Sequence, residues 1–248
     1  MIDPRLSIIK KRLENITRIV AVSGSKGGIG KSTVASALAL ALAEKGKRVG
    51  LLDLDLSGPS THIILGVEGL FPEEDKGLIP PVVHGIKFMS IVYFIGNNPS
   101  PLRGNDISNI IIELLTITLW GSLDVLVLDM PPGISDSILD VIRFIGRMEF
   151  LVVTTQSKVA VEVTKKELKI LRELNIPILG MIENMATREG SSLHKEVESL
   201  HIPILGSIKF DAELEDAIGD AQRLSRTGFM KSLVALLEKS TIFRPDTA

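Results

Sequence analysis

The sequence predicts a three-layer α/β fold, with a doubly wound, mostly parallel sheet in one domain over residues 1–248. Three observations predict it. An apolar run, Ile19-Val20-Ala21-Val22, leads into the glycine-rich stretch Gly24 to Gly30 and then an alanine-rich run, Val34 to Leu42. That order reads strand, tight loop, helix. Further runs, such as Val49 to Leu52 and Val125 to Leu128, are continuously apolar rather than alternating. Strands covered on both faces read this way. These two runs end in Asp53 and Asp129, placing carboxylates where open α/β sheets bind ligands.

Composition narrows the function. The 248 residues suit one large domain, and the net charge of −2 gives no basic excess for nucleic acid. Cysteine is absent, which excludes disulfides, thiolate zinc sites and cysteine-held clusters on this chain. Neither a signal-peptide pattern nor an apolar run of about 18 residues is present, so a cytoplasmic protein is expected and membrane attachment is not.

The chain in order begins with Asp3-Pro4, which can cap and start a helix to about Glu14, with Leu6, Ile9 and Leu13 on one side. It reads as a packed brace (1–16) ahead of a core over 18–220. The stretch Gly24-Ser25-Lys26-Gly27-Gly28-Ile29-Gly30-Lys31-Ser32-Thr33 is a phosphate-binding loop in its proper context. Gly27, Gly28, Ile29, Gly30 and Thr33 offer backbone N–H groups to an anion. Lys31 reaches the β/γ-phosphates of ATP or ADP, and the Ser32 hydroxyl ligates Mg²⁺. The strict pattern has glycine where this chain has Ser25. After the loop helix, Gly46 is a stop. Asp53 and Asp55 close the next strand and suit metal hydration and water activation.

Residues 57–101 are rich in Gly, Pro and Asn, with a strand near Ile86 to Met89. A helix follows to about Leu119, its wide apolar surface fit for core or for core plus a dimer face. Asp129 fits a carboxylate that holds Mg²⁺ through water, and the Gly133 amide, after Pro131-Pro132, is placed to sense a γ-phosphate. Strands are expected over Glu149 to Thr155, Ile178 to Ile182 and Ile204 to Ile208, and helices over Val159 to Leu174 and Ser191 to Leu200. Asn184 has an amide able to read adenine, and Phe210-Asp211 are candidates for the base pocket. A terminal segment over 224–248 holds an amphipathic helix, Gly228 to Lys239, with too few bases for a membrane surface, so it is expected to dock on the core. The four histidines are scattered, and His194 near Glu196 and Glu198 reads as a solvated face.

Lys26, just before Gly-Gly-x-Gly-Lys-Ser, is similar to the extra lysine of the deviant P-loop ATPases of the MinD type. Several motifs resemble the Mrp branch of that family: Asp53-Leu-Asp55-Leu-Ser-Gly58-Pro59-Ser60, Leu102-Arg103-Gly104, Asp129-Met-Pro131-Pro132-Gly133 with Asp136, Thr154-Thr155-Gln156, and Glu183-Asn184-Met185. The resemblance covers roughly 18–220. It implies a homodimer with nucleotides near the interface, Lys26 acting in trans, Asp55 positioning the attacking water, Asp129 serving Mg²⁺ and Asn184 serving adenine. Typical Mrp proteins follow Glu-Asn-Met with a Cys-x-x-Cys pair that holds an iron–sulfur cluster. Here the chain reads Ala186-Thr-Arg-Glu-Gly-Ser-Ser-Leu193. A cysteine-free member resembles the Mrp-type HypB of [NiFe] hydrogenase maturation. From this we expect a switch for nickel insertion, partnered by a small HypA-like metallochaperone that docks on the N-terminal helix. The alternatives are an iron–sulfur assembly ATPase working through a cysteine-bearing partner, and a MinD-like positional switch.

Overall fold

The computed structural model describes residues 3–95, 104–133, 136–188 and 202–243. Its centre is an eight-stranded sheet. In chain order the strands are β1 (Ile16–Gly24), β2 (Val49–Asp53), a separate two-stranded ribbon of β3 (Glu73–Glu74) and β4 (Leu78–Ile79), then β5 (Val82–Val83), β6 (Ile86–Ser90), β7 (Leu123–Asp129), β8 (Glu149–Thr154), β9 (Ile178–Ala186) and β10 (Ile204–Lys209). Across the main sheet they run β10-β9-β8-β1-β7-β2-β6-β5, all parallel except the β5–β6 edge pair.

Helices cover both faces. These are α1 (Arg5–Leu13), α2 (Lys31–Glu44), α3 (Thr61–Ile64), α4 (Val92–Ile95), α5 (Gly104–Ile117), α6 (Asp136–Ile145), α7 (Lys158–Glu173), α8 (Glu213–Asp216), α9 (Ala221–Arg226) and α10 (Gly228–Leu237). Strand side chains alternate between two cores. Val20, Val22, Val125 and Val127 join the core beneath α2 and α10, while Ile19, Ala21, Leu126 and Leu128 join the one beneath α1, α5, α6 and α7. That two-sided burial is why the strands read as unbroken apolar runs.

The N-terminal helix is a brace. Ile9 and Leu13 are buried, and α1 packs on α5 and α6. The Asp3 carboxylate accepts from the Arg5 N–H at 2.9 Å and pairs with the Arg5 guanidinium at 2.7 Å. Its apolar side therefore lies in the core. The terminal helix α10 packs Phe229, Met230, Leu233, Leu236 and Leu237 inward, in contact with α2 and β10. No helix among the described residues is long and apolar enough to cross a membrane.

Two departures from the sequence reading bear on the site. Strand β9 runs on to Ala186 through Glu183 and Asn184, both buried, because those polar side chains find partners inside the protein. The short helices α8 and α9 were not expected. The helix predicted over 191–200, with His194, and the Leu102-Arg103 part of the motif lie outside the described residues.

Candidate active site

The carboxyl ends of β1, β2, β7, β8 and β9 converge on one edge of the sheet. Register places Asp129 beside both Val22 and Asp53. The loop after β1 wraps this edge and delivers the N-terminus of α2. Gly30 caps α2 in the left-handed region (φ 81°), and a Cβ there would overlap the Asn184 amide nitrogen, so only glycine fits. No side chain caps α2 and no acid stands in its first turn, which leaves its end open to an anion.

Lys31 is buried at the start of α2. Its ammonium donates to Asp129 Oδ1 at 2.6 Å and stands 3.6 Å from Asp55 Oδ2 and 3.4 Å from Ser32 Oγ. Burial pushes the Asp129 carboxyl well above the usual carboxylate range. Lys31 pulls it down, and the neighbouring Asp53 pushes it up again. Its other oxygen, Oδ2, is buried without a partner among the described residues. A hydroxyl and a buried, half-satisfied carboxylate form a hard oxygen set that suits Mg²⁺.

Asp53 was expected beside the metal, but both its oxygens are engaged. Oδ1 accepts from the Asp55 N–H at 3.0 Å. Oδ2 accepts from the N–H groups of Ser60 and Thr61 at 3.2 Å each and from the Thr61 hydroxyl at 2.7 Å. It shapes the turn that presents Asp55. Burial raises its pKa, and these donors oppose the rise. Asp55 Oδ1 accepts from Ser57 Oγ at 2.7 Å and the Gly58 N–H at 3.2 Å, while Oδ2 faces Lys31.

A cavity of about 380 Å³ lies over these groups. Lys26, Gly27, Gly28, Gly30, Lys31, Ser32, Thr33 and Asp55 line it, with Pro132, Ile63, Glu215 and Ile218 on the far side. The last three come from the α3 and α8 segments and carry no short motif that could have marked them. Lys26 is exposed on the lip shared with a second cavity of about 400 Å³, lined by Ile29, Gln156, Ser157 and Thr187 among others. There the Gln156 side chain accepts from the N–H of Thr187 at 3.0 Å and donates to Arg188 O at 2.8 Å, clamping the chain after β9.

Other expected residues are placed differently. Gly133 donates its N–H to Gly24 O at 3.0 Å, so that amide is joined to the loop rather than facing the cavity. Asn184 is buried and donates to Ile29 O at 2.9 Å, holding the loop from behind. Phe210 is 63% exposed, and Asp211 accepts from the N–H groups of Glu213 and Phe229 at 3.0 Å and 2.8 Å. Neither is among the residues lining the two cavities. Ser25 is tied to α7, its hydroxyl 2.9 Å from Thr164 Oγ1 and donating to Ala160 O at 3.2 Å.

A parallel sheet with a glycine loop feeding an uncapped helix, facing a lysine and two aspartates, defines a P-loop NTPase. A family model described as ParA, the NUBPL iron-transfer P-loop NTPase, matches residues 15–232, and the chain belongs to that family. It is similar to the iron–sulfur cluster carrier protein of Pseudomonas fragi, 42% identical over 178 residues, 70% of this chain and 62% of that protein. The chain thus spans less than two thirds of that relative's length. It is also similar to a nucleotide-binding protein of Archaeoglobus fulgidus solved with ADP (31% identity, TM-score 0.76, 89% of this chain and 93% of that one). The fold is shared with the septum site-determining protein MinD of Pyrococcus horikoshii, solved with Mg-ADP (19% identity, TM-score 0.68, 90% and 95% covered).

These findings correct the nickel reading. The family is described by iron transfer and the relatives are named iron–sulfur cluster carriers. Nickel insertion, hydrogenase maturation and a HypA-like partner have no support in them. The expectation rested on a missing cysteine pair, and a missing ligand set says what a chain cannot hold, not which other metal it serves.

Proposed function

We propose that this chain is a Mg²⁺-dependent ATPase of iron–sulfur cluster assembly that acts on a cluster held by thiolates outside it. One observation carries the reading. A chain whose relatives are named cluster carriers has no cysteine in 248 residues, yet keeps a complete phosphate loop with its lysine and aspartates. The cluster is then cargo on a cysteine-bearing partner, and ATP binding sets the affinity for that partner.

Ser32 and Asp129 would hold Mg²⁺, which neutralises charge on the triphosphate. The α2 N-terminus and Lys31 hold the phosphates. An entering phosphate chain takes over the ammonium that now contacts Asp129 and Asp55. Asp55 orients the attacking water and accepts its proton. Lys26, exposed on the lip, completes the site across a homodimer.

The test is capture by the Asp55→Asn protein loaded with Mg-ATP, followed by metal and sulfide analysis of what it retains. A retained cysteine-bearing protein containing iron and sulfide supports the reading. Retention of proteins without iron, under conditions that preserve clusters, contradicts it.

A further inference from the structure

Behind the phosphate loop, on the face away from α2, lies a polar seam in an otherwise apolar core. Ser23 near the end of β1 and Ser25 just after it face Thr164 and Glu167, one turn apart on α7. Ser23, Thr164 and Thr154 are fully buried, Ser25 is 6% exposed and Glu167 3%. The outer half of the seam is saturated. The Ser25 hydroxyl is 2.9 Å from Thr164 Oγ1, which donates to Ala160 O at 2.8 Å and stands 3.0 Å from Thr154 Oγ1.

The inner half is not. Both carboxyl oxygens of Glu167 and the Ser23 hydroxyl are buried without a hydrogen-bond partner among the described residues. Ser23 is near enough to act on the carboxyl, though the pair completes no hydrogen bond. Among the described residues, no charged group acts on Glu167 from β1, from β8, from α6 or from Lys165 and Lys166 on its own helix. Burial dominates its environment and Ser23 alone opposes. An ionised carboxylate there would have no counter-charge and no adequate donor set. A neutral acid fits, because it can donate to Ser23.

We propose that Glu167 is a positioning residue whose neutral carboxyl seats the phosphate loop against α7, and that loss of its proton loosens the loop's hold on ATP. The link is short: Glu167 sits beside Ser23, Ser23 is two residues from Ser25, and Ser25 begins the loop. A new charge in this seam must draw donors toward itself. The seam offers the hydroxyls of Ser23, which acts on the carboxyl, and of Thr164, one turn away on α7 and now tied to Ser25. Burial raises the acid to about 7, so the transition falls near neutrality. Nothing in nucleotide hydrolysis itself uses this residue. The proposal rests on the nucleotide reading above.

The experiment measures Mg-ATP affinity of the wild type and of Glu167→Gln from about pH 6 to about pH 9. Changes in ATP itself and in Asp129 affect both proteins, so the ratio of the two dissociation constants isolates Glu167. The ratio is expected near one at the acid end, since glutamine mimics the neutral acid. It should widen at the alkaline end, toward a limit of about 100-fold for full coupling to a group titrating near 7. A ratio constant within about threefold across the range overturns the proposal. Failure of the wild type to bind ATP at any pH would instead sink the nucleotide reading. Should Glu167→Gln not fold, the wild type carries the test through carboxyl-¹³C-labelled glutamate. A glutamate titrating near neutrality, with affinity lost at the same midpoint, supports the proposal. All glutamates titrating in the acid range overturns it.

Discussion

Replacing Ser25 with glycine restores the strict phosphate-loop pattern, so a reading from the motif alone expects no loss. The structure predicts a loss. The Ser25 hydroxyl sits in a buried seam with Thr164 Oγ1 at 2.9 Å and Ala160 O at 3.2 Å. A buried hydrogen bond contributes about 0.5–1.5 kcal/mol net. Thr164 keeps its other contacts, with Thr154 and Ala160, so no orphaned hydroxyl adds to the penalty. Glycine adds roughly 0.5–1 kcal/mol through backbone freedom in the unfolded chain. Ser25→Gly should therefore cost about 2 kcal/mol, a fall in Tm of about 4–8 °C for a domain of this size. Ser25→Ala separates the two contributions and should lose roughly half as much. Thermal unfolding without nucleotide, checked by urea titration, reads both. A Ser25→Gly protein as stable as the wild type would refute the idea that Ser25 anchors the loop to α7.

Further outcomes follow from the same geometry. Lys31→Ala should abolish ATP binding by calorimetry, because the buried ammonium is the cation nearest Asp55 and Asp129 in the cavity; normal affinity would remove the loop assignment. Lys26→Ala should bind ATP normally yet hydrolyse it slowly, and wild-type turnover would show that this exposed lysine is idle. Asp55→Asn should bind ATP and lose most turnover, with phosphate release as the assay, and full activity would move the catalytic role elsewhere. Stability should also depend on pH through Glu167. Its pKa is raised from 4.5 to about 7, so its contribution is fully present below about pH 4.5 and lost as pH rises to about 7. Glu167→Gln should thus gain about 3 kcal/mol on the wild type above neutrality and little at pH 4, by urea denaturation; a gap that does not change with pH would refute it.

Much of the centre was legible in the sequence. Val20 and Val22 alternate with Ile19 and Ala21 between two buried faces, so the β1 run is apolar without a break, and Gly28 and Gly30 mark the loop. The acids at strand ends were found because the sheet's carboxyl edge gathers them. What escaped depended on long-range partners. Glu183 and Asn184 read as the end of a strand because they are polar, but Ser207 and Ile29 satisfy them inside the protein. Asp53 looked like a metal residue by position, and only the fold reveals that the Ser60–Thr61 turn occupies it. Ile63, Glu215 and Ile218 reach the cavity from segments with no local signature. Glu167 sits in an amphipathic helix where a glutamate reads as solvated, and the burial of its helix face decides otherwise.

ATP on this chain is proposed to govern a cluster held by another protein's thiolates. The most direct measurement is the rate of cluster transfer from a cysteine-ligated iron–sulfur scaffold to an apo-acceptor, followed anaerobically by absorbance. It is run with and without this protein, with Mg-ATP, Mg-ADP or no nucleotide. The wild type should change the rate with Mg-ATP, Lys31→Ala should not, and the isolated chain should acquire no cluster of its own. A rate indifferent to nucleotide, or a stable cluster on the chain alone, would contradict it.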